Sequence, residues 1–261
     1  MFKIISWDIG IKNLSYCLSE FNLNNNKLNI IEWNIIDIIR NYKCKYCKKN
    51  INNHKVKNIN NNKIFCYKCD NNAKKSYCKY NFCLNHITNI KGIKKKNNSN
   101  KINIFILKNL LIKSLELNKK LFTNINVVLI ENQPALMNPT IKTISDTLYS
   151  WFLIRNNYDL NNDIKIILMN PTTKLSINNI EFDILKKKYN LNEKKNRKLL
   201  SIHLCYFLFS NNILLTDYLN TFIKKDDICD CLLYIIRYIN DNYDINNILN
   251  LFDPYYTLTF R

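Results

Sequence analysis

Glycine is scarce in this chain: Gly10 and Gly92 are the two glycines among its 261 residues. Nucleotide-binding proteins commonly use glycine-rich loops to bring backbone amides close to the phosphates of the nucleotide. Two isolated glycines cannot form such a loop. The sequence therefore predicts no nucleotide cofactor, which argues against ATPases and sugar kinases, even though these also open with a strand, an aspartate and a hairpin.

Long apolar runs are also absent, since no stretch approaches the roughly 20 residues that a membrane-spanning helix needs. The chain opens directly into a short apolar segment, without the pattern of a signal peptide or a transit peptide. We therefore expect an intracellular protein that makes no contact with a membrane.

Acidic residues are few compared with basic ones. The sequence has 20 Asp and Glu against 39 Lys and Arg, which leaves a formal net charge of +19. An excess of this size favours an anionic partner, and nucleic acid is the partner that we expect. The alternative is a compositional bias, because lysine, asparagine and isoleucine are abundant in almost every segment.

The apolar pattern of the chain predicts an α/β fold. Strands are predicted from alternating or continuous apolar residues over 2–7, 14–21, 28–36, 126–132 and 163–171. Helices are predicted from apolar residues at helical spacing over 102–122, 140–155, 181–189, 193–210 and 225–240. Three meandering strands followed by alternating helices and strands predict a mixed five-stranded sheet with helices on both faces.

Residues 41–100 differ from the rest of the chain, because they are rich in lysine, asparagine and paired cysteines and have little apolar periodicity. We predict that this stretch is a small module inserted into one larger domain. The first part of that domain would be 1–40 and the second part 101–261.

The cysteines of this module predict bound zinc. In a reducing compartment the 10 cysteines of the chain indicate metal ligation or burial rather than disulfides. Two C-x-x-C pairs, "CKYC" and "CYKC", are typical of a zinc ribbon, and the predicted ligands of one structural Zn²⁺ are Cys44, Cys47, Cys66 and Cys69. Donors for a second zinc ion are Cys78, Cys83 and His86, although these could equally be unrelated to metal binding. The remaining cysteines, Cys17, Cys205, Cys229 and Cys231, lie in apolar segments and are expected in the core.

Four acidic residues follow or begin predicted elements in a way that places them together. Asp8 ends the first strand and Glu131 the fourth, so they meet if these strands are adjacent and parallel. Asp227 and Asp230 lie at positions i and i+3 of the last helix and so share one face. Acids at a helix start usually cap it or compensate its dipole, which explains Asp226 but not Asp230.

Clustered carboxylates repel one another unless cations lie among them. We therefore predict that Asp8, Glu131, Asp227 and Asp230 hold two Mg²⁺ ions, which Mn²⁺ could replace. Such a pair of ions would activate water for attack on a phosphodiester.

Four segments, taken in order, resemble the motifs of RuvC-like Holliday junction resolvases: "SWDIGIKNLSYCL", "VVLIENQP", "NPTTKLS" and "KKDDICDCLLY". The poxvirus branch is the most similar, with the mitochondrial fungal resolvases as relatives, and the resemblance covers roughly 1–36 and 102–240. It implies an RNase H-like fold and a homodimer that nicks four-way DNA junctions symmetrically with Mg²⁺. The zinc module departs from the compact resolvases, which leaves the substrate preference open.

The resemblance also implies roles for particular residues. The residues that match the catalytic acids of the family are Asp8, Glu131, Asp227 and Asp230. Lys174 matches its active-site lysine, and a lysine there could steady the scissile phosphate or the charge that develops in the transition state.

Basic runs at 91–101, 186–198 and 222–225 predict contacts to DNA phosphates, although each alone could be a solvated surface. The candidate DNA-binding residues are Lys12, Lys94, Lys95, Lys96, Gln133, Lys194, Lys195 and Arg197. No base-reading helix is evident, so we expect recognition of DNA shape.

Two other functions stay open at this point. The protein could be a non-catalytic, zinc-dependent DNA-binding protein, or a nuclease for flaps, forks or transposon ends. A poxvirus-like resolvase would work in DNA recombination and concatemer processing in the viral factories of the host cytoplasm, and a fungal-like one in mitochondria.

Overall fold

The computed structural model describes residues 1–11, 13–38, 104–133, 138–158, 163–177, 179–243, 245 and 248–253. The chain divides into two compact units, Met1–Ile36 with Asn118–Arg261, and Asp37–Leu117. Helix α1 (Ile104–Leu117) belongs to the second unit, and every other element below belongs to the first. The predicted zinc ligands, together with Lys12 and Lys94 to Lys96, lie outside the described residues. The inserted module therefore stays a prediction.

The first unit is built on one five-stranded sheet with the strand order β3–β2–β1–β4–β5. Its strands are β1 (Phe2–Asp8), β2 (Leu14–Asn22), β3 (Lys27–Ile36), β4 (Val127–Glu131) and β5 (Lys165–Met169). The first three form an antiparallel meander, whereas β4 runs parallel to β1 and β5 parallel to β4. This is the mixed sheet that the sequence predicts and the RNase H-like arrangement that the resemblance implies.

Five helices complete the first unit among its described residues: α2 (Pro139–Tyr158), α3 (Ile180–Lys187), α4 (Lys194–Leu208), α5 (Ile213–Asn220) and α6 (Lys225–Asn242). Helix α5 is missing from the sequence-based prediction; Asn212 begins it by accepting a hydrogen bond from the Leu215 amide. The helix predicted over 102–122 ends at Leu117 instead, because the chain turns at Asn118, whose carbonyl accepts a hydrogen bond from the Leu121 amide.

Helix α6 packs against one face of the sheet and is joined to it by two buried hydrogen bonds. Ser6 Oγ of β1 donates to the Cys231 carbonyl at 2.5 Å, and Trp33 Nε1 of β3 donates to the Ile228 carbonyl at 2.9 Å. The four cysteines expected in the core are buried there, which confirms that prediction. Because both bonds use backbone carbonyls of α6, they determine which turn of the helix faces the end of β1.

The opposite face of the sheet packs against α2 through aromatic side chains. The Trp7 ring lies 6.1 Å from the ring of Phe152 in α2 and 5.5 Å from the ring of Phe122, which precedes β4. Successive residues of a strand point to opposite faces. Since Trp7 points to α2, its neighbours Ser6 and Asp8 point to α6. No helix in the described part of the chain is both long enough and apolar enough to cross a membrane.

Candidate active site

Two acids lie side by side where β1 and β4 end. The parallel register pairs Trp7 with Ile130, and each of these is followed by an acid, Asp8 and Glu131. Glu131 is buried, and its Oε2 accepts a hydrogen bond from the Ile9 amide at 3.3 Å. Asp8 keeps part of its surface in contact with solvent. The predicted adjacency of the two strands is thus confirmed.

The third acid of the site comes from α6. Asp230 Oδ2 lies 2.5 Å from the Nζ of Lys174, and both side chains are nearly buried. Lys174 lies in a short 3₁₀ helix, Thr173–Leu175, that follows β5, and its Nζ lies 5.2 Å from the centre of the Tyr234 ring. The other oxygen of Asp230, Oδ1, is buried and has no hydrogen-bond partner among the described residues.

The electrostatics of the site show that these groups share one small region. Burial raises the pKa of Asp8 well above its usual value, and the charges of Glu131 and Asp230 raise it further. Burial also raises the pKa of Asp230, although Lys174, and after it the Ser201 hydroxyl, offset part of this effect. Burial alone would lower the pKa of Lys174, but the charges of the three acids outweigh it and raise that pKa. Three carboxylates and one ammonium group are therefore close enough to influence one another's charge, with Lys174 and Asp230 in direct contact.

Asp227 lies one turn before Asp230 and is bound by other partners. Its Oδ2 accepts a hydrogen bond from Asn13 Nδ2 at 3.0 Å, and the ammonium groups of Lys224 and Lys198 lie 3.4 and 3.8 Å from its carboxylate oxygens. Asp226 pairs with Lys198. The fourth predicted acid is therefore tied to the hairpin that follows β1.

The hairpin itself depends on Gly10. A Cβ atom at Gly10 would lie 2.4 Å from the backbone oxygen of Asn13, which no side chain could tolerate. Glycine thus permits the tight turn that brings Asn13 to Asp227. Asn13 is a site residue that the sequence analysis did not select, although it stands in the quoted motif "SWDIGIKNLSYCL".

Of the described residues predicted to bind DNA, two form hydrogen bonds within the protein and two are exposed to solvent. Gln133 Nε2 donates to Glu131 Oε2 at 2.6 Å, so its amide holds a site acid in place. Arg197 Nη1 donates to the carbonyls of Leu191 at 2.7 Å and Asn192 at 3.2 Å, and so fixes the loop before α4. The exposed residues at the start of α4 are Lys194 and Lys195. Their contacts with DNA stay predictions.

The acids suit a hard divalent cation by their chemistry. Among the described residues, no three Asp, Glu, His or Cys side chains are arranged around one point in a way that would hold a metal ion. Asp8, Glu131 and Asp230 nevertheless supply carboxylate oxygens, the ligands that Mg²⁺ prefers. Asp230 Oδ1 has no hydrogen-bond partner among the described residues, and a cation would offset both the burial and the neighbouring negative charges that raise the pKa of Asp8.

Comparisons with known proteins find a viral relative. The chain is 31% identical over 319 residues to uncharacterized protein L451 of Acanthamoeba polyphaga mimivirus, covering 94% of this chain and 77% of the viral protein. No protein-family model matches the chain.

Solved structures with a similar fold are Holliday junction resolvases. The yeast mitochondrial Holliday junction resolvase Ydc2 is 15% identical to this chain, with a TM-score of 0.49. The match covers 92% of this chain and 79% of Ydc2. The fowlpox virus resolvase in complex with Holliday junction DNA is 17% identical over 92% and 98% of the two chains, with a TM-score of 0.44. The fold assignment depends on the strand order of the sheet and not on this likeness, because both TM-scores are below 0.5.

Proposed function

We infer the function of this chain from the geometry of its own site. The chain belongs to the family of the mimivirus protein L451, but the name of that protein states no activity. We propose that it is a metal-dependent endonuclease that resolves four-way DNA junctions by paired, symmetric nicks. The observation that carries this proposal is the meeting of Asp8, Glu131 and Asp230 beside Lys174.

A purely structural role does not account for this cluster. Burying several carboxylates together is unfavourable, and the raised pKa of Asp8 reflects that cost. Perturbed carboxylates of this kind are typical of functional sites. The cost is understandable if divalent cations bind there during the reaction.

In the proposed reaction Asp8, Glu131, Asp227 and Asp230 hold the ions. Bound Mg²⁺ would supply Lewis-acid activation of a water molecule and of the scissile phosphate. The Ile9 amide and Gln133 keep Glu131 oriented through two hydrogen bonds to its Oε2. The Asn13 amide orients Asp227 in the same way.

Lys174 is the residue that we assign to the phosphate. In the protein alone its ammonium group pairs with Asp230. When DNA is bound, the same group would turn to a non-bridging phosphate oxygen and stabilise the negative charge that develops there. The Lys174 ammonium group lies over the Tyr234 ring, and this cation–π contact stabilises the lysine side chain next to the site.

The DNA would be held mainly by its phosphates. The net charge of +19 favours attraction to any nucleic acid. Exposed Lys194 and Lys195 begin α4, the helix whose Lys198 contacts Asp226 and Asp227 at the start of α6. We assign to this region, and to Lys12 and Lys94 to Lys96, contacts that depend strongly on salt.

The preference for four-way junctions rests on the motif resemblance. Two nicks in opposite strands require two active sites, so we propose that the protein acts as a homodimer. A viral relative favours a role in viral DNA recombination and concatemer processing inside the host cell. The zinc module at 41–100 would extend the DNA-binding surface or the dimer contact.

A panel of DNA substrates tests the substrate class. The full chain is incubated with a four-way junction, a flap, a fork and a linear duplex at equal concentration, with and without Mg²⁺. We expect cleavage of the junction in two opposed strands, only with the metal. Preferential cleavage of the flap or the fork would keep the nuclease but change its substrate, and binding without any cleavage would indicate a non-catalytic DNA-binding protein.

A further inference from the structure

Three buried polar atoms around the carboxylates have no hydrogen-bond partner among the described residues: Asp230 Oδ1, Tyr234 Oη and Ser15 Oγ. Buried polar groups in folded proteins are nearly always hydrogen-bonded, and an unsatisfied one is unfavourable. One of the three atoms is an acceptor on a site acid, and the other two are hydroxyl groups that can donate. Their position next to one site calls for a functional explanation.

Tyr234 lies one turn beyond Asp230 on α6, so the two side chains share a face of the helix. Helical side chains lean towards the helix N-terminus, which brings the tyrosine side chain back over the turn of Asp230. Burial, and after it the charges of Glu131, Asp8 and Asp230, raise the pKa of Tyr234. A tyrosine hydroxyl is protonated at neutral pH even without this shift, so it can act as a donor to a carboxylate.

Ser15 occupies the corresponding position beside the first acid. The antiparallel register of β1 and β2 pairs Ser15 directly with Asp8. Paired residues of neighbouring strands point to the same face of the sheet. The Ser15 hydroxyl is fully buried on the face where the carboxylates meet.

We propose that Tyr234 and Ser15 are positioning residues whose hydroxyls donate hydrogen bonds to Asp230 and Asp8 when these carboxylates turn towards a bound cation. The proposal rests on the proposed function only in taking a divalent cation as the ligand of this site. In the protein alone Lys174 holds Asp230 through Oδ2. Once the lysine leaves, a hydroxyl donor to Oδ1 would add to the Ser201 hydroxyl, which already interacts with Asp230, and keep the carboxylate in one orientation, as outer hydrogen bonds do for metal ligands in general.

Tyr234→Phe tests this with Tyr238→Phe as its matched control. Tyr238 lies on the same helix and has a lysine over its ring, Lys165 at 5.9 Å. It lies about two turns beyond Asp230, one turn further than Tyr234. The full-length variants are compared by calorimetric titration with Mg²⁺, by thermal unfolding without metal, and by junction cleavage.

We expect Tyr234→Phe to bind Mg²⁺ about 10-fold more weakly than the wild type and to cleave more slowly. Its thermal unfolding without metal should be unchanged or shifted upward, because the lost hydroxyl has no partner. Tyr238→Phe should match the wild type in Mg²⁺ binding and cleavage. Unchanged Mg²⁺ binding in Tyr234→Phe, or a clear loss of stability without metal, would overturn the role given to Tyr234.

Ser15→Ala tests the second hydroxyl in the same three measurements. Its control is Ser19→Ala, which removes a buried hydroxyl of the same strand that contacts Cys17 Sγ at 3.4 Å instead. We expect weaker Mg²⁺ binding for Ser15→Ala alone, and equal Mg²⁺ binding of both variants would overturn its role. A wild-type chain that binds Mg²⁺ but cuts no DNA would refute the proposed function, while the Mg²⁺ titrations would still decide on the two hydroxyls.

Discussion

Lys174 of the 3₁₀ helix and Asp230 of α6 form an ion pair of 2.5 Å, in which both side chains are close to fully buried. In the protein alone this lysine neutralises part of the charge that Asp8, Glu131 and Asp230 concentrate at one end of the sheet. The same ammonium group is suitably charged to bind a phosphate. Lys174 therefore has two roles in this account: it stabilises the metal-free site, and it is the group that we propose to bind the phosphate.

Removing the lysine should destabilise the protein in the absence of metal. Lys174→Ala leaves the Asp230 carboxylate buried without its charged partner, which we expect to lower the free energy of unfolding by about 3–5 kcal/mol. Urea unfolding in a chelating buffer measures this loss.

The matched control for this prediction is Lys186→Ala. Lys186 also pairs with an aspartate, at 2.7 Å, but Asp183 keeps 58% of its side-chain surface exposed. An exposed pair contributes about 1 kcal/mol or less. Equal losses in the two variants would contradict a special role for the buried pair.

Asp8→Asn should stabilise the metal-free protein. The pKa of Asp8 is raised in the folded state, so that state binds more protons than the unfolded one between the ordinary aspartate pKa and the raised value. Stability therefore falls as the pH rises through this window, and at neutral pH the charged carboxylate is a net cost. We expect Asp8→Asn to raise the free energy of unfolding at pH 7 by about 1 kcal/mol or more.

The pH dependence provides a second check on this variant. Unfolding is measured in a chelating buffer from pH 4 upward, and the fall in stability with rising pH should be smaller in Asp8→Asn than in the wild type. A variant that is less stable than the wild type at pH 7 would show that the carboxylate contributes favourable interactions that outweigh its burial.

Asn13→Ala should impair catalysis more than stability. The Asn13 amide donates to Asp227 at 3.0 Å in a partly buried position, so its loss leaves the acid to two lysines with longer contacts. We expect junction cleavage to fall about 10-fold, in the range found when a group that orients a metal ligand is removed.

A matched control for this change is Asn25→Ala. Asn25 Oδ1 accepts a hydrogen bond from the Lys27 amide at 3.1 Å in the exposed turn between β2 and β3. This variant should cleave as the wild type does. If the two variants lose cleavage to the same extent, the orientation of Asp227 by Asn13 is not what matters.

The zinc module predicted at 41–100 can be tested by metal analysis of the purified chain. We expect one or two zinc ions per chain, because four thiolates in two C-x-x-C pairs form a complete tetrahedral site. Cys44→Ser should lower the zinc content by removing one ligand. A wild-type chain without zinc after purification in a chelator-free buffer would contradict the module.

The sequence was sufficient to predict the sheet and the placement of Asp8 and Glu131 at neighbouring strand ends, because both follow from backbone periodicity. The binding of metal ions by all four acids stays a prediction. Alternation predicts the strands, and an i, i+3 spacing places Asp227 and Asp230 on one helix face. Helix α5, "ILLTDYLN", was missed because it opens with a continuous apolar run, and a short run of that kind does not distinguish a helix from a strand.

The partners of the acids could not be predicted in this way. Which donor meets which carboxylate depends on loop geometry and side-chain rotamers, as with Asn13 and Asp227 or Gln133 and Glu131. Gln133 was selected as a DNA contact because it follows a site acid directly. The structure shows a hydrogen bond to that acid, which periodicity does not encode, and the contact of Gln133 with DNA stays a prediction.

The measurement that tests the central claim most directly is cleavage of a synthetic four-way junction by the wild-type chain and by Asp230→Asn, in Mg²⁺, with binding followed in parallel. Asn keeps the size of the side chain but removes the charge that a cation needs. We predict that Asp230→Asn binds the junction as tightly as the wild type and cleaves it at least 100-fold more slowly, roughly the loss expected when catalytic charge stabilisation is removed. Equal cleavage by the two proteins would show that these carboxylates do not form the active site.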